Sequence, residues 1–147
     1  MNTYDFDETI YLKDSSVTFY KYCLRNFPGA VWRTIPKTIV KAVKYAAKRI
    51  DTKELKEQLF SFLRYIDDID AVVEHFWDEK FCLIGDWYLN QRRDDDIIIS
   101  ASPEFLLAPA VQRLSVRLIG TVMDKHTGRI RGLNCHDSEK VRRFTAQ

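Results

Sequence analysis

The sequence predicts an α/β protein, because it contains both a strand-like apolar run and segments with helical periodicity. Residues 97–99 form an all-isoleucine run between a charged segment and a Ser/Pro segment, which is typical of a buried parallel strand. A helical pattern follows directly, over about 103–113, and a strand followed at once by a helix is an α/β signature. Residues 14 to about 93 show only helical periodicity, so a large all-helical segment precedes this unit.

The composition is that of one globular domain and gives no sign of a nucleic-acid binder. The chain has 147 residues, of which 46% are hydrophobic and 30% are charged, and Lys plus Arg exceed Asp plus Glu by only 23 to 21. Three distant cysteines without a CxxC pair indicate reduced thiols in a cytoplasmic protein. An acidic start and the lack of a long apolar run argue against a signal peptide and a membrane span. We therefore expect a cytoplasmic protein that binds neither nucleic acid nor membrane.

The first two thirds of the chain are predicted to form one very short strand followed by five helices. The strand covers 1–4 and leads into an acidic loop. Ser15 or Ser16 is predicted to cap the first helix, and Asp51 with Glu54 to open the third. The predicted inward faces, which would form the interior of a helical bundle, are Val17, Tyr20 and Leu24; Ile39, Val43, Ala46 and Ile50; Leu55, Leu59, Phe62 and Ile66; and Ile84, Trp87 and Tyr88.

A β-hairpin and a last helix are predicted after the helix at 103–113. Residues 118–123 and 129–131 flank a turn that ends in Gly128, which is a hairpin pattern. The last helix is predicted to begin near Asp137.

The stretch YDFDETIY, residues 4–11, places two carboxylates close together. In an extended chain Asp5 and Asp7 face the same side, so both can point into a pocket at the C-terminal edge of a sheet. One could attack a phosphorus atom while the other acts as general acid and base. Two negative charges about 4 Å apart repel by roughly 4 kcal/mol, so Mg²⁺ and a lysine would be needed. A calcium loop is excluded, since Ile10 and Ser16 stand where glycine and glutamate are required; a solvated acidic turn is the alternative that stays open.

Two later stretches can complete such a site. In IIISASPEF, Ser100 ends the predicted strand, with Ser102 as predicted N-cap and Pro103 at the first helical position, so a hydroxyl and free amides converge on an anion site. Lys140 lies in the first turn of the last helix, where the helix dipole disfavours a cation. The alternatives are plain helix capping for the first stretch and a surface pair of Lys140 with Asp137 for the second.

In this order, YDFDETIY, IIISASPEF and NCHDSEKVRRF resemble the first three motifs of the haloacid dehalogenase superfamily, in its phosphoserine-phosphatase-like branch. The resemblance implies a Rossmann-like three-layer core with a parallel sheet, formed by residues 1–13 and 94–147, and an inserted all-helical cap over 14–93. It also implies Mg²⁺-dependent hydrolysis of a small phosphorylated substrate, a phosphomonoester, through an aspartyl-phosphate.

The resemblance further implies a role for each matching residue. Asp5 would be the nucleophile and a metal ligand. Asp7 would be the general acid and base, and a metal ligand through its carbonyl oxygen. Lys140 would orient Asp5 and the phosphate. The phosphate would be bound by Ser100, Ala101 and Thr9, the last also shaping the loop.

The sequence departs from the family pattern at two points. Glu8 stands where glycine is usual, and we expect little effect from it because it lies in a loop. The fourth motif, an acidic pair on a further strand, would follow Lys140, whereas the chain ends at Gln147. The aspartates 94–96 precede the second strand, at its wrong end. We therefore expect a C-terminally truncated core with weak Mg²⁺ affinity and little turnover. Its first strand would be a sheet edge, which favours self-association.

A basic stripe supports a rival hypothesis. Lys37, Lys41, Lys44 and Lys48 follow helical spacing, opposite an apolar stripe. Such a stripe is usually a solvent-exposed face of a helix. It is also consistent with a non-catalytic anion-binding or interaction module on a degenerate phosphatase scaffold, which salt-sensitive polyanion binding without turnover would indicate.

Overall fold

The computed structural model describes residues 1–135 and 138–146 and contains one sheet of three parallel strands. The strands are β1 (Thr3–Asp5), β2 (Ile97–Pro103) and β3 (Arg117–Thr121), in the spatial order β1-β2-β3. The register places Thr3 opposite Ile97 and Asp5 opposite Ile99. The α/β prediction is confirmed, and β2 sits in the middle because it is apolar enough to be buried on both faces.

In the part of the chain that the structure describes, six helices lie between β1 and β2, one connects β2 to β3, and one follows β3. Their bounds are α1 (Ser15–Asn26), α2 (Pro28–Trp32), α3 (Ile35–Ala46), α4 (Thr52–Leu59), α5 (Ile69–Lys80), α6 (Asp86–Gln91), α7 (Glu104–Leu114) and α8 (Ser138–Thr145). Short 3-10 turns follow α4, over Phe60–Tyr65, and α5, over Phe81–Leu83. Among the described residues, no helix is both long and apolar enough to cross a bilayer.

Both faces of the sheet are covered. Ile98 faces a large core that also contains Leu106 of α7 and aromatic side chains of the helical segment, including Phe19 and Trp77. Ile97 and Ile99 face the opposite side, where Phe144 of α8 packs on them. This alternation follows from the two-residue period of a strand, and it places α8 on the side of the sheet opposite the large core.

The predicted inward face of α3 is wrong, whereas in α1 Tyr20 and Leu24 pack against the core as predicted and Val17 does not. In α1 the cap is Asp14, whose side chain accepts a hydrogen bond from Val17 N–H at 2.9 Å, and the buried face contains Phe19 and Cys23 rather than Val17. In α3 no residue is buried. An amphipathic pattern shows which face of a helix is apolar, but it does not show whether that face meets the core. The predicted cap of the next helix is confirmed, since Asp51 accepts from Glu54 N–H at 2.8 Å.

The hairpin prediction is wrong for residues 118–121 and is confirmed only beside its turn. The stretch after Ser115 forms β3, which pairs in parallel with β2 because α7 crosses over the sheet between them. Around the predicted turn the hairpin is present: Met123 bridges Ile130 in antiparallel sense, Asp124 N–H donates to Arg129 O, and Arg131 N–H donates to Val122 O, each of these two bonds at 2.8 Å. Ser102 belongs to β2 and does not cap α7, whose N-cap position is Pro103. The predicted helix start at Asp137, and a pair of Lys140 with it, lie outside the described residues.

Candidate active site

The candidate site lies where β1 and β2 end. Asp5 is the last residue of β1 and pairs with Ile99 of β2. Ser100 is the next residue of β2 after Ile99. Because the strands are parallel, their carboxyl ends meet at one edge of the sheet, where open α/β folds bind ligands. The sheet itself therefore brings residues that are more than ninety positions apart to one place.

Asp5 is held by two donors and stays open to solvent. One carboxylate oxygen accepts from Phe6 N–H at 2.9 Å, and the other accepts from Lys140 Nζ at 2.7 Å. The Asp5 side chain is 48% exposed, and the Lys140 side chain 23%. An open cavity of about 450 Å³ borders this pair, with Val141 and Phe144 on its apolar wall. A carboxylate that is anchored yet accessible can meet a ligand.

Asp7 points in a different direction and is fully engaged. One carboxylate oxygen accepts from the N–H of Ser15, the first residue of α1, at 2.6 Å. The other accepts from the hydroxyls of Ser100, at 3.0 Å, and Ser102, at 2.7 Å. The Ser15 hydroxyl donates to Ser102 Oγ at 3.0 Å, which extends the network. Asp7 therefore connects β2 with the start of α1.

The predicted phosphate binders occupy three different environments. Ser100 is fully buried, and besides donating to Asp7 it accepts from Ser102 N–H at 3.0 Å. The Ala101 carbonyl oxygen accepts from Lys56 Nζ at 2.7 Å. Thr9 is exposed, in the turn that Phe6 O closes by accepting Thr9 N–H at 3.4 Å. The structure thus brings Ser100 to Asp7 and leaves Thr9 at the surface.

The backbone of the turn that contains Thr9 is strained at Glu8, which stands where glycine is usual in the family. Glu8 has a φ of 57°, in the left-handed region that favours glycine. A residue with a side chain is strained there by about 1 to 2 kcal/mol. The expectation that Glu8 has little effect did not include this strain.

Lys56 of α4 reaches this edge of the sheet and was missed by the sequence analysis. Besides Ala101 O it binds Asn134 Oδ1, at 3.0 Å, and Asn134 in turn accepts from the Thr121 hydroxyl at 2.9 Å. Burial lowers the pKa of Lys56, and the negative charges of Asp14 and Asp7 partly oppose that shift. Nothing in the sequence TKELKEQL distinguishes this lysine from its neighbours, because its partners lie 45 and 78 positions away.

The start of α8 fixes the position of Lys140. Its neighbour Glu139 is almost completely buried and binds Arg142 and Arg143, whose hydrogen bonds lower the Glu139 pKa to about 2 although burial acts against them. Arg143 also donates to the carbonyl oxygens of Gly120 and Leu133. The helix is thereby attached to the end of β3, with Lys140 directed at Asp5.

The oxygen atoms near Asp5 suit a hard cation. In the part of the chain that the structure describes, no three His, Cys, Asp or Glu side chains are grouped so as to hold a metal ion. The Asp7 carboxylate is already bound to three donors, so the Asp5 carboxylate and main-chain carbonyl groups are what this loop offers. Mg²⁺ is commonly held by one or two carboxylates and several waters. The donor set therefore fits Mg²⁺.

Comparison with known proteins agrees with this architecture. The family model described as haloacid dehalogenase-like hydrolase matches residues 3–147. Among solved structures, the crystal structure of a protein with unknown function from Bordetella pertussis Tohama I superimposes with a TM-score of 0.76, at 18% sequence identity, over 99% of this chain and 72% of that chain. At that identity the likeness supports the fold alone. No curated protein gives a significant match.

Proposed function

Because this chain belongs to the haloacid dehalogenase-like hydrolase family, we propose that it is a Mg²⁺-dependent phosphatase that hydrolyses a small phosphomonoester through an aspartyl-phosphate. The contact between Asp5 and Lys140, 2.7 Å at the end of β1, carries the proposal. It pairs a solvent-accessible carboxylate with a cation that can also attract a phosphate. The order and spacing of the three motifs support the phosphoserine-phosphatase-like branch.

In the first step an Asp5 carboxylate oxygen attacks phosphorus. The new oxygen–phosphorus bond replaces the bond from phosphorus to the leaving oxygen, and Asp7 donates a proton to that oxygen. Asp7 must carry the proton beforehand. Hydroxyl hydrogens rotate, so Ser102 can change from donor to acceptor and accommodate the protonated acid.

In the second step water removes the phosphoryl group from Asp5. Asp7 takes a proton from the water while the water oxygen bonds to phosphorus, and the Asp5–phosphorus bond breaks. The products are inorganic phosphate and the regenerated Asp5 carboxylate. The predicted phosphate contacts of Ser100, Ala101 and Thr9 belong to this proposal.

Mg²⁺ would be held by the Asp5 carboxylate and the Asp7 main-chain carbonyl. Bound there, it would supply positive charge against the repulsion between Asp5 and the phosphate, which amounts to about 4 kcal/mol for unit charges about 4 Å apart. Lys140 supplies the same kind of charge from the opposite element. The proposed site thus contains the cations that its negative charges need.

The test is hydrolysis of p-nitrophenyl phosphate with MgCl₂ by the wild type and by Asp5→Asn. We expect the wild type to release nitrophenol and Asp5→Asn to lose all measurable turnover, because the amide is not a nucleophile. Asp7→Asn should retain a slowly resolved phosphoenzyme, detectable by intact mass and cleaved by hydroxylamine. Both replacements conserve shape, so circular dichroism should match the wild type.

Asp94→Asn is the matched control. Asp94 is exposed and precedes β2, at the opposite end of the strand from Ser100, so its replacement should leave turnover unchanged. Wild-type rates in Asp5→Asn would refute its role as the nucleophile. Salt-sensitive binding of polyanions without any turnover would instead favour the anion-binding module.

A further inference from the structure

Helix α3 is attached to the protein by its polar side. Lys41 forms an ion pair with Glu54, and Gln58 Nε2 donates to Thr38 Oγ1 at 3.3 Å. The Tyr45 hydroxyl lies 3.4 Å from the Thr52 hydroxyl of α4, and no residue of α3 is buried. A helix that only served the core would have the opposite orientation, with its polar side in solvent.

The outward side of α3 is apolar. Ile39, Val40 and Val43 are neighbours on the helix surface, and Trp32 lies just before the helix; all four are between 53% and 64% exposed. We refer to these four residues as the α3 apolar face. Exposed apolar side chains that are grouped together are typical of a surface that binds a protein, a ligand or a membrane.

Positive charge borders the α3 apolar face. Lys37 and Lys44 lie along one side of α3, and Lys48 follows shortly after the helix. Residues 15–50 contain eight lysines and arginines and no aspartate or glutamate. Since the whole chain carries a net charge of +2, the remaining residues carry −6. The basic charge is therefore concentrated in the segment that carries the exposed apolar side chains.

A basic cavity adjoins the same helix. It has a volume of about 220 Å³, and its cationic lining residues are Arg33, Lys37, Lys41, Arg64 and Arg129. Its two carboxylates are already engaged, because Glu54 pairs with Lys41 and Glu57 accepts from Ile130 N–H at 2.9 Å.

The remaining cations of this cavity are available to an anion. Within residues 1–135 and 138–146, the side chains of Lys37, Arg64 and Arg129 make no hydrogen bond or ion pair. The Arg33 guanidinium is held over the Tyr65 ring, 5.0 Å from its centre. Several unpaired cations around one small cavity repel one another, and a bound phosphate would relieve that repulsion.

We propose that the α3 apolar face and this cavity together dock the protein on an anionic lipid surface. The helix, about 18 Å long, would lie in the plane of the interface with its apolar side chains among the acyl chains. Lysines at its border and a lipid phosphate in the cavity would supply the electrostatic part. The lack of a long apolar run excludes only a spanning helix and does not speak against this mode of binding. The inference is independent of the proposed phosphatase activity.

A second copy of the chain fits this surface less well. Symmetric pairing of two α3 helices through the α3 apolar face would bring their lysine borders close together, and α3 contains no acidic residue to meet them. An anionic membrane offers both an apolar interior and negative headgroups, which is the combination that the surface requires.

Co-sedimentation of the purified chain with vesicles tests the proposal. Vesicles of phosphatidylcholine alone are compared with vesicles that also contain phosphatidylglycerol. We expect binding only to the second kind, weakened by salt, with a blue shift of tryptophan fluorescence as Trp32 enters the bilayer. Val43→Glu should abolish binding, and Lys44→Glu should weaken it about fivefold or more, since each basic residue near such a surface contributes about that factor.

Matched controls separate the surface from general charge and hydrophobicity. Leu133→Glu alters a side chain with 61% exposure outside this segment, and Arg93→Glu makes the same charge change as Lys44→Glu at an exposed residue that precedes β2. Both should bind as the wild type does. Equal binding by Val43→Glu and the wild type, or no binding by the wild type, would overturn the proposal.

Two further experiments test whether this surface binds a free phosphate compound or a second copy of the chain instead of a lipid surface. If inorganic diphosphate displaces the protein from vesicles far more effectively than NaCl at equal ionic strength, the cavity serves a free phosphate compound and the lipid proposal fails. If sedimentation without lipid shows a dimer that Val43→Glu converts to monomer, while the wild type ignores vesicles, the α3 apolar face binds a second copy.

Discussion

At the scale of single residues, the two aspartates of the loop after β1 differ in how firmly they are bound. Asp7 accepts three hydrogen bonds, one of them from Ser15 N–H, whereas Asp5 accepts one from Phe6 N–H and one from Lys140. Both oxygens of each carboxylate accept from protein donors, but the Asp5 side chain is about half exposed and can reach a substrate. This accessibility supports the proposed role of Asp5 as the nucleophile.

A second residue-scale feature is the phenol of Tyr88, which is fully buried. Its hydroxyl has no hydrogen-bond partner among the described residues. A buried donor without a partner costs about 1 to 3 kcal/mol, so Tyr88→Phe should leave the free energy of unfolding at neutral pH unchanged or raise it by about 1 kcal/mol. Urea unfolding followed by circular dichroism measures this, with the exposed Tyr65→Phe as control. A clear loss of stability would show that the hydroxyl has a partner.

The same variant should alter the response to alkali. Burial, with the negative charge of Asp96 next, raises the pKa of Tyr88 from 10.0 to about 12. A group whose pKa is raised on folding contributes stability below its unfolded pKa and loses it as pH rises through its folded pKa. The wild type should therefore lose stability between pH 10 and about pH 12, and Tyr88→Phe should lose less. Tyr11, whose pKa burial also raises to about 12, would account for part of the remaining loss.

At the scale of elements, two glycines have similar backbone conformations but different surroundings. Replacing each by alanine therefore distinguishes the cost of backbone strain from the cost of a steric clash. Gly128 and Gly132 have φ values of 73° and 81°, so both occupy the left-handed region. A Cβ on Gly128 would lie 2.5 Å from Phe60 O, whereas nothing lies within 4 Å of one on Gly132. Gly132→Ala should cost about 1 kcal/mol from backbone strain alone, and Gly128→Ala about 3 kcal/mol or more, because the turn must also move away from the 3-10 segment.

Thermal and urea unfolding of the two alanine variants decides this prediction. Equal losses would mean that the turn at 124–128 does not pack on Phe60. Turnover provides a second measurement, because Ile130, just after the turn, donates to Glu57 of α4, the helix that also carries Lys56. Gly128→Ala should therefore displace the turn and lower turnover. Gly132→Ala should leave the turn in place and turnover unchanged.

Local signals made some elements predictable and hid others. The isoleucine run of β2 and the Asp51 cap are each encoded within a few residues, and both were predicted. The outward orientation of α3 was not, since its pattern is the same whether the apolar side meets core or solvent. Lys56 reaches Ala101 only after α4 has packed against the end of β2, so its role depends on the tertiary structure. The motifs around Asp5 and Lys140 are short stretches that can be recognised in the sequence, and the structure brings the two side chains into contact; the catalytic roles of these residues and of Asp7 stay predictions.

At the scale of the whole molecule, positive charge and the α3 apolar face are concentrated in the same segment of the chain. The basic segment 15–50 contains α1 to α3, while the net negative charge lies in the rest of the chain, which contains the sheet. The proposed lipid surface and the proposed catalytic site therefore belong to different parts of the fold. Variants of one should leave the other unchanged, which makes the two proposals separately testable.

The described sheet also has an open edge at β1, whose only strand neighbour among residues 1–135 and 138–146 is β2. Ile97 N–H binds Asn2 O at 2.9 Å, and alternate residues direct their peptide groups to opposite sides, so the Thr3 N–H and C=O point outward. Such an edge recruits another strand, and we expect this chain to self-associate through it as its concentration rises.

Thr3→Pro tests the open edge directly. Proline removes the outward N–H of Thr3 without breaking the ladder to β2, because edge strands tolerate proline where the N–H faces solvent. Sedimentation velocity should show the wild type shifting to larger species with concentration and Thr3→Pro remaining monomeric, with unchanged circular dichroism. Val43→Glu should not alter this shift, because it lies on α3 and not on the sheet. A wild type that stays monomeric at every concentration, with Thr3 and Asp5 amides strongly protected from exchange, would mean that the β1 edge is covered in another way.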